Sequence, residues 1–141
     1  MKKSTLFVLV LLLASFISAQ SQTLQWTPIF LNPKGDNLVD GVEAYFARGT
    51  CDGKEVVFIK FINHNSYNVK ISFYDAVFTQ DIKWVNKQET QRTIEIASKS
   101  EAIGQCGQEA HLVVDLATFI SSAEEFKKYC SAGFTVTPIN Q

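Results

Sequence analysis

The sequence predicts an all-β protein, an antiparallel β-sandwich of about seven strands with one short helix near the C-terminus. Runs of β-branched and aromatic residues alternate with polar residues at a period of two, which is typical of strands. Turn-forming residues separate these runs at intervals of about 8 to 12 residues, as in sandwich domains. One segment, after Ser121, carries the capping signals of a helix.

Residues 1–19 have the three-part layout of a secretory signal peptide. Lys2 and Lys3 supply the positive start, residues 6–14 are almost entirely apolar, and small residues lead to Ala19, after which we expect cleavage. The apolar run is shorter than the roughly 20 residues that span a bilayer, so a retained membrane anchor is the weaker alternative. We therefore expect a secreted or periplasmic protein with no stable membrane insertion after cleavage.

Residues 20–141 have a suitable length for a single β-sandwich domain. Without the signal lysines, 11 basic residues face 14 acidic ones, and Lys127-Lys128 is the one adjacent basic pair. Nucleic-acid binding requires a basic patch or stripe, so this distribution argues against that class of partner.

The first half of the domain contains four predicted strands. Residues 24–31 suit an edge strand because Pro28 has no N–H to donate to a neighbour. Residues 42–47 alternate as a short strand. Residues 54–62 and 69–78 form the clearest pair, which we predict to be a β-hairpin around the asparagine-rich turn 63–68. The strand at 54–62 is apolar on both faces and is predicted to be central.

The second half predicts further strands at 93–97, 112–116 and 134–139, and a weaker one around Trp84. Residues 98–107 are predicted to be a loop. Ser121 and Ser122 each precede a glutamate by three residues, which fits a capping box and predicts a short helix to about Cys130. Gly133 would then end this helix.

The spacing of the strands resembles that of immunoglobulin-like and fibronectin-like domains. This resemblance implies a sandwich architecture and no particular function, because such folds host many unrelated activities. Trp84 lies between Cys51 and Cys106 in the sequence, but it follows the central strands and does not lie on one of them, unlike the buried tryptophan of antibody domains.

Three cysteines, Cys51, Cys106 and Cys130, follow the signal peptide, and an oxidising compartment favours one disulfide among them. The possible loops of about 55, 24 and 79 residues give roughly 4.2, 3.5 and 4.5 kcal/mol in the chain-entropy model, which does not discriminate. Cys51 and Cys106 both lie in glycine-flanked loops beside strands. We therefore favour the pair Cys51–Cys106, with Cys130 as a free or partner-linked thiol.

The sequence offers no catalytic or metal-binding constellation. Cys106 with His111 would lack the helix start and second domain of cysteine proteases. The three cysteines have no close spacing such as Cys-x2-Cys, so they do not predict a structural zinc site. The acids Asp75, Asp81 and Asp115 lie on separate segments. We therefore expect no cofactor and no enzymatic activity.

Exposed aromatic residues are the one functional hint. Tyr45 and Tyr74 fall on the outward phase of their strands, and Trp84 lies outside the strongest strands. Rings on a sheet face stack on sugars or anchor protein partners, although they also pack across strands. The leading hypothesis is a non-enzymatic module that binds a protein or glycan. The alternatives are a small secreted hydrolase with an unrecognised carboxylate site and an accessory subunit of a cell-envelope complex.

Overall fold

The computed structural model describes residues 23–86, 89–108 and 111–139. The predicted signal peptide, residues 1–19, lies outside the described residues. The described chain is mostly β, with two antiparallel sheets and two short 3-10 turns. Its strands are β1 (Thr27–Pro28), β2 (Leu38–Val39), β3 (Val42–Cys51), β4 (Lys54–Asn63), β5 (Val69–Thr79), β6 (Trp84–Asn86), β7 (Arg92–Ile96), β8 (Glu101–Ile103), β9 (Val113–Asp115) and β10 (Phe126–Pro138).

The first sheet is built around β4, which pairs with β3 on one side and with both β8 and β9 on the other. β1 and β2 extend it beyond β3, so Pro28 lies on an edge strand as predicted. Val57 and Ile59 point into the core, and Val56 and Phe58 on the opposite face are also buried. The prediction of a central strand with two apolar faces is therefore confirmed.

The second sheet is built around β5, which pairs with β10 on one side and with β6 and β7 on the other. β10 runs along almost the whole of β5, from Phe126 opposite Thr79 to Pro138 opposite Val69. β10 is therefore an edge strand of 13 residues.

The predicted hairpin of β4 and β5 is wrong, because these two strands lie in different sheets. Residues 64–68 carry the chain from one sheet to the other. The Asn63 side chain donates hydrogen bonds to the carbonyl oxygens of Tyr67 and Ala97, and Asn68 Oδ1 accepts from the Ser98 N–H. The asparagines thus fix the crossing to the segment after β7. The local pattern identifies two strands and a turn, but it does not specify their partners.

Aromatic rings from the two sheets meet in the core. The Phe61 and Phe73 ring centroids are 5.2 Å apart, and Phe46 contacts Tyr129 at 6.2 Å. Phe61 also stacks on Phe134 at 5.9 Å. Such ring pairs stabilise a core beyond their area of burial.

The predicted helix before Cys130 is also wrong. Residues 123–125 form a single 3-10 turn, and β10 begins at Phe126. Ser122 Oγ bonds Glu124 Oε2 and caps no backbone N–H. A strand here supplies the hydrogen bonds that the edge of β5 requires and buries Phe126 and Tyr129, so tertiary context overrides the capping signal.

Gly133 has a left-handed φ of 57° where the register of β10 shifts between Ala132 and Thr135. It therefore forms a bulge in a strand, and the prediction that it ends a helix is wrong.

The structure also has more strands than the seven predicted: ten in the described chain, several of them only two or three residues long. β8, for example, lies inside the predicted loop 98–107. Within the same residues, no helix is long and apolar enough to cross a membrane.

Candidate functional site

The disulfide joins Cys51 to Cys106, as the sequence analysis favoured. Cys51 ends β3, and Cys106 lies in the loop between β8 and β9, with 5.5 Å between the two Cα atoms. The bond therefore fastens this loop to the β3–β4 hairpin. It also leaves Cys106 without a thiol to act as a nucleophile.

The three aspartates considered as an acid pair do not converge. Asp75 is buried beside Tyr129, Asp81 lies in the turn after β5, and Asp115 accepts a hydrogen bond from the Ala117 N–H at a 3-10 turn. His111 is exposed and lines a separate cleft near Gln105. Among the described residues, no group of three or more His, Cys, Asp or Glu side chains could hold a metal ion.

Asp75 belongs to a buried polar network that connects three strands. The Tyr129 hydroxyl donates to Asp75 Oδ1 at 2.5 Å, and Arg92 Nε forms an ion pair with Asp75 Oδ2. Burial first, and then the charge of Asp75, hold the pKa of Tyr129 well above its usual value. Because both Tyr129 and Asp75 are almost fully buried, the network holds the sheet together and offers no surface for a substrate.

One cleft does bring carboxylates together, near the turn after β5. Asp81, Glu124 and Glu125 line a cleft of about 450 Å³. Hydrogen bonds from Lys83 and Thr79 lower the pKa of Asp81, and a hydrogen bond from Ser122 lowers the pKa of Glu124. Glycoside hydrolysis requires one carboxyl group that stays protonated, with a raised pKa. Asp81 and Glu124 have the opposite property.

The three candidate binding aromatics lie on two different sheets. Tyr45 is on the first sheet, where its hydroxyl donates to Glu43 Oε1 at 2.7 Å and Lys60 Nζ lies 5.0 Å from its ring centroid. Tyr74 and Trp84 lie on the outer face of the second sheet. The three rings therefore do not form one surface, and Tyr45 is occupied by contacts within the chain.

A row of large side chains crosses the outer face of the second sheet. Trp84 pairs with Phe78 across β6 and β5, with ring centroids 5.6 Å apart, and Phe78 pairs with Lys128 across β5 and β10. Lys128 Nζ lies 5.4 Å from the Phe78 centroid and 4.5 Å from that of Phe30, which follows β1. The neighbouring strands β5 and β6 thus meet two segments that are distant in sequence, β10 and the segment after β1, in one row.

This row is one wall of a groove of about 360 Å³, which we call the aromatic groove. Phe30, Phe78, Trp84 and Lys128 line it together with the small residues of 130–133. Trp84 is 45% exposed and Phe30 46% exposed. Tyr74 does not line the groove, but its ring lies 3.2 Å from the position a Cβ atom on Gly133 would take.

The groove is apolar apart from a few groups. Lys128 has no carboxylate partner among the described residues. Cys130 is a free thiol, and burial raises its pKa, so it stays protonated and unreactive at neutral pH. Ser131 Oγ, the one buried side-chain atom without a hydrogen-bond partner in the described part of the chain, is on the inner phase of β10 opposite Asp75 and does not face the groove.

Sequence analysis identified Trp84 but missed Phe30, Phe78 and Lys128. Phe78 and Lys128 become neighbours only when β10 pairs with β5, and β10 had been predicted to begin as a helix. Gly133 was the available signal, because a glycine inside a strand often marks a bulge or a place where a ligand or another backbone approaches closely.

Comparison with family models, curated proteins and solved structures finds no match for this chain. The geometry of the site is therefore the basis for any functional inference.

Proposed function

We propose that this protein is an exported, non-enzymatic β-sandwich module of the immunoglobulin-like or fibronectin-like kind, which binds another molecule through the aromatic groove. The observation that carries this proposal is the convergence of Phe30, Phe78 and Trp84, from three separate segments, around one concave surface. Contiguous exposed apolar surface of this kind marks interaction sites more often than scattered single residues do.

The alternative explanation for these rings is ordinary packing, and their exposure argues against it. Phe30 and Trp84 are each almost half exposed, although the same chain buries Phe61 and Phe73 completely. When interface residues are truncated to alanine, the largest losses of binding energy are often found at large aromatic side chains. Two half-exposed rings beside a groove therefore suit a binding role better than a stabilising one.

Export is supported by the disulfide, because such bonds form and persist in oxidising compartments. The sandwich architecture is supported by the two antiparallel sheets with aromatic contacts between them. A non-enzymatic role is supported by the groove itself, whose lining residues include no carboxylate and no histidine. The lowered pKa of Asp81 and that of Glu124 make these two groups unsuited to the role of the protonated acid in a glycoside hydrolase.

The test is capture of a ligand from a culture of the producing organism with purified protein on a resin. A double variant, Phe30→Ala with Trp84→Ala, removes the exposed rings. Tyr45→Ala with Trp26→Ala is the matched control, because these two rings lie near Lys60 of the first sheet, with centroids 5.0 and 4.7 Å from its Nζ. We expect one component to be retained by the wild type and the control and lost by the groove variant.

Equal retention by the groove variant, or no retained component at all, would overturn the proposal. Circular dichroism of each variant checks that the fold is intact. Because Phe30 and Trp84 are half-exposed, we expect the groove variant to stay folded, and an unchanged urea midpoint would demonstrate this.

A further inference from the structure

We propose that the occupant of the aromatic groove is an extended segment of a partner protein, which carries an acidic residue beside a large apolar one and docks along β10. This inference rests on the proposed function, because it names the chemical class of ligand for the same groove. It is argued from the charge in the groove, its apolar lining and the unpaired edge of β10.

We infer an acidic residue in the partner segment from the charge of Lys128. Lys128 is half-buried, its Nζ lies within 5.4 Å of the ring centroids of both Phe30 and Phe78, and no carboxylate of the described chain contacts it. A cation in apolar surroundings gains more from an opposite charge than one in bulk water does. A large apolar residue is inferred from the rest of the lining, which is mostly apolar: aromatic rings, Leu31, Pro33 and the small residues of 130–133.

The extended conformation follows from the position of β10. This strand is the edge of its sheet, and no strand of the described chain pairs with its other side. Half of its backbone N–H and C=O groups therefore point away from β5, which is the template for adding a strand. The groove lies beside residues 128–133, and the segment 30–33 forms its other border.

The length of the docked segment is limited by β10 itself. The bulge at Gly133 shifts the register after Ala132, and Pro138 has no N–H to donate. Bulges and prolines are features that prevent uncontrolled pairing at sheet edges. Docking is therefore confined to the stretch before Gly133. The groove, at about 360 Å³, is near the lower end of the range of ligand sites and suits a few residues.

Two other occupants fit less well. A glycan offers many hydroxyl groups, and the groove presents few polar side chains to them; Asn32 is one, and its amide already bonds Asp36 and the Lys34 N–H. A second copy docked symmetrically would bring the two Lys128 side chains toward each other, and like charges facing across an interface are unfavourable.

The experiment uses a phage library of random dodecapeptides, selected on the purified protein and counter-selected on Trp84→Ala. We expect enriched peptides in which Asp or Glu stands next to an aromatic or large aliphatic residue. A synthetic peptide of that consensus should lose about tenfold or more in affinity with Lys128→Met, which keeps the apolar stem and removes the charge. Lys127→Met is the matched control, because Lys127 is exposed and does not line the groove.

The proposal is overturned if no peptide is enriched, if the consensus contains no acid, or if both lysine variants weaken binding equally. Its failure can be distinguished from failure of the proposed function. If the library yields nothing while a sugar or a second copy is captured in a manner that depends on Phe30 and Trp84, the groove is a binding site for a different occupant. If capture is also independent of those rings, both proposals fail.

Discussion

Tyr129 donates a hydrogen bond of 2.5 Å from its hydroxyl to Asp75 Oδ1 and so joins β10 to β5 inside the protein. Arg92, at the start of β7, forms an ion pair with the other oxygen of the same carboxylate. Three strands of the second sheet are thus connected through one buried acid. Because this network is buried, removing one of its hydrogen bonds should lower the free energy of unfolding by a measurable amount.

The first prediction is that Tyr129→Phe lowers the free energy of unfolding by about 1.5–3 kcal/mol, the range for a hydrogen bond to a charged group. Urea unfolding measures it. Tyr45→Phe is the control, because its hydroxyl bonds Glu43 near the surface, where water replaces the lost bond. Equal losses in the two variants would show that the buried carboxylate does not depend on Tyr129.

The second prediction concerns alkaline pH. The pKa of Tyr129 is raised in the folded protein, so its contribution to stability is complete below the ordinary tyrosine pKa of about 10. That contribution is lost as the pH rises from there through the folded-state pKa. We expect the ultraviolet absorbance of the Tyr129 phenolate to appear only together with unfolding. Tyr129→Phe should unfold with a shallower pH dependence in this range, and an unchanged slope would contradict the assignment.

The third prediction compares buried and exposed positions on the two central strands. Ile59→Ala should cost about 2–5 kcal/mol and Phe61→Ala about 3–5 kcal/mol, because both side chains are fully buried. Lys70→Thr and Ser72→Thr, on the outer phase of β5, should stay within about 0.5 kcal/mol. Urea melts of the four variants decide the matter, and small equal losses at all four would mean that this core is wrongly assigned.

The fourth prediction concerns the disulfide. Replacing Cys51 and Cys106 together by serine should cost about 4 kcal/mol, the chain-entropy value for a loop of 55 residues. Cys130→Ser is the comparison variant, because it replaces a free thiol and leaves the disulfide in place. Thiol titration of the denatured wild type should find one reactive group, and a count of three would exclude the disulfide.

The fifth prediction concerns export. Mass spectrometry of the protein recovered from the periplasm or medium should show an N-terminus near Gln20, because small residues precede that position. Recovery of the chain with Met1 intact from a membrane fraction would reject the signal peptide.

The sequence was a good guide to individual strands and a poor guide to their partners. The alternation in residues 54–62 is local, so it identifies β4 correctly. Pairing depends on distant segments, and nothing local to residues 63–68 shows that they cross between sheets. The same limit hid the site, because Phe78 and Lys128 are 50 residues apart and meet only through the β5–β10 ladder.

Helix signals failed for a related reason. Ser121 and Ser122 match the capping pattern in sequence, but a short helix contributes little stability by itself. Pairing with the long edge of β5 satisfies more backbone groups. The predicted disulfide Cys51–Cys106 agrees with the structure. Its basis was that both cysteines lie in glycine-flanked loops beside strands, and this local property does not depend on which strands pair.

The long β5–β10 ladder also affects the order in which the two sheets can form during folding. Phe126 pairs with Thr79 and Pro138 with Val69, whereas β3 returns directly into β4 from Cys51 to Lys54. Contacts between distant residues form slowly, because a long loop must close before any bond forms. The β3–β4 hairpin can therefore form while the chain is still emerging, but the second sheet must wait for its last strand. A nascent chain that still lacks residues 126–138 cannot complete the second sheet and therefore remains incompletely folded.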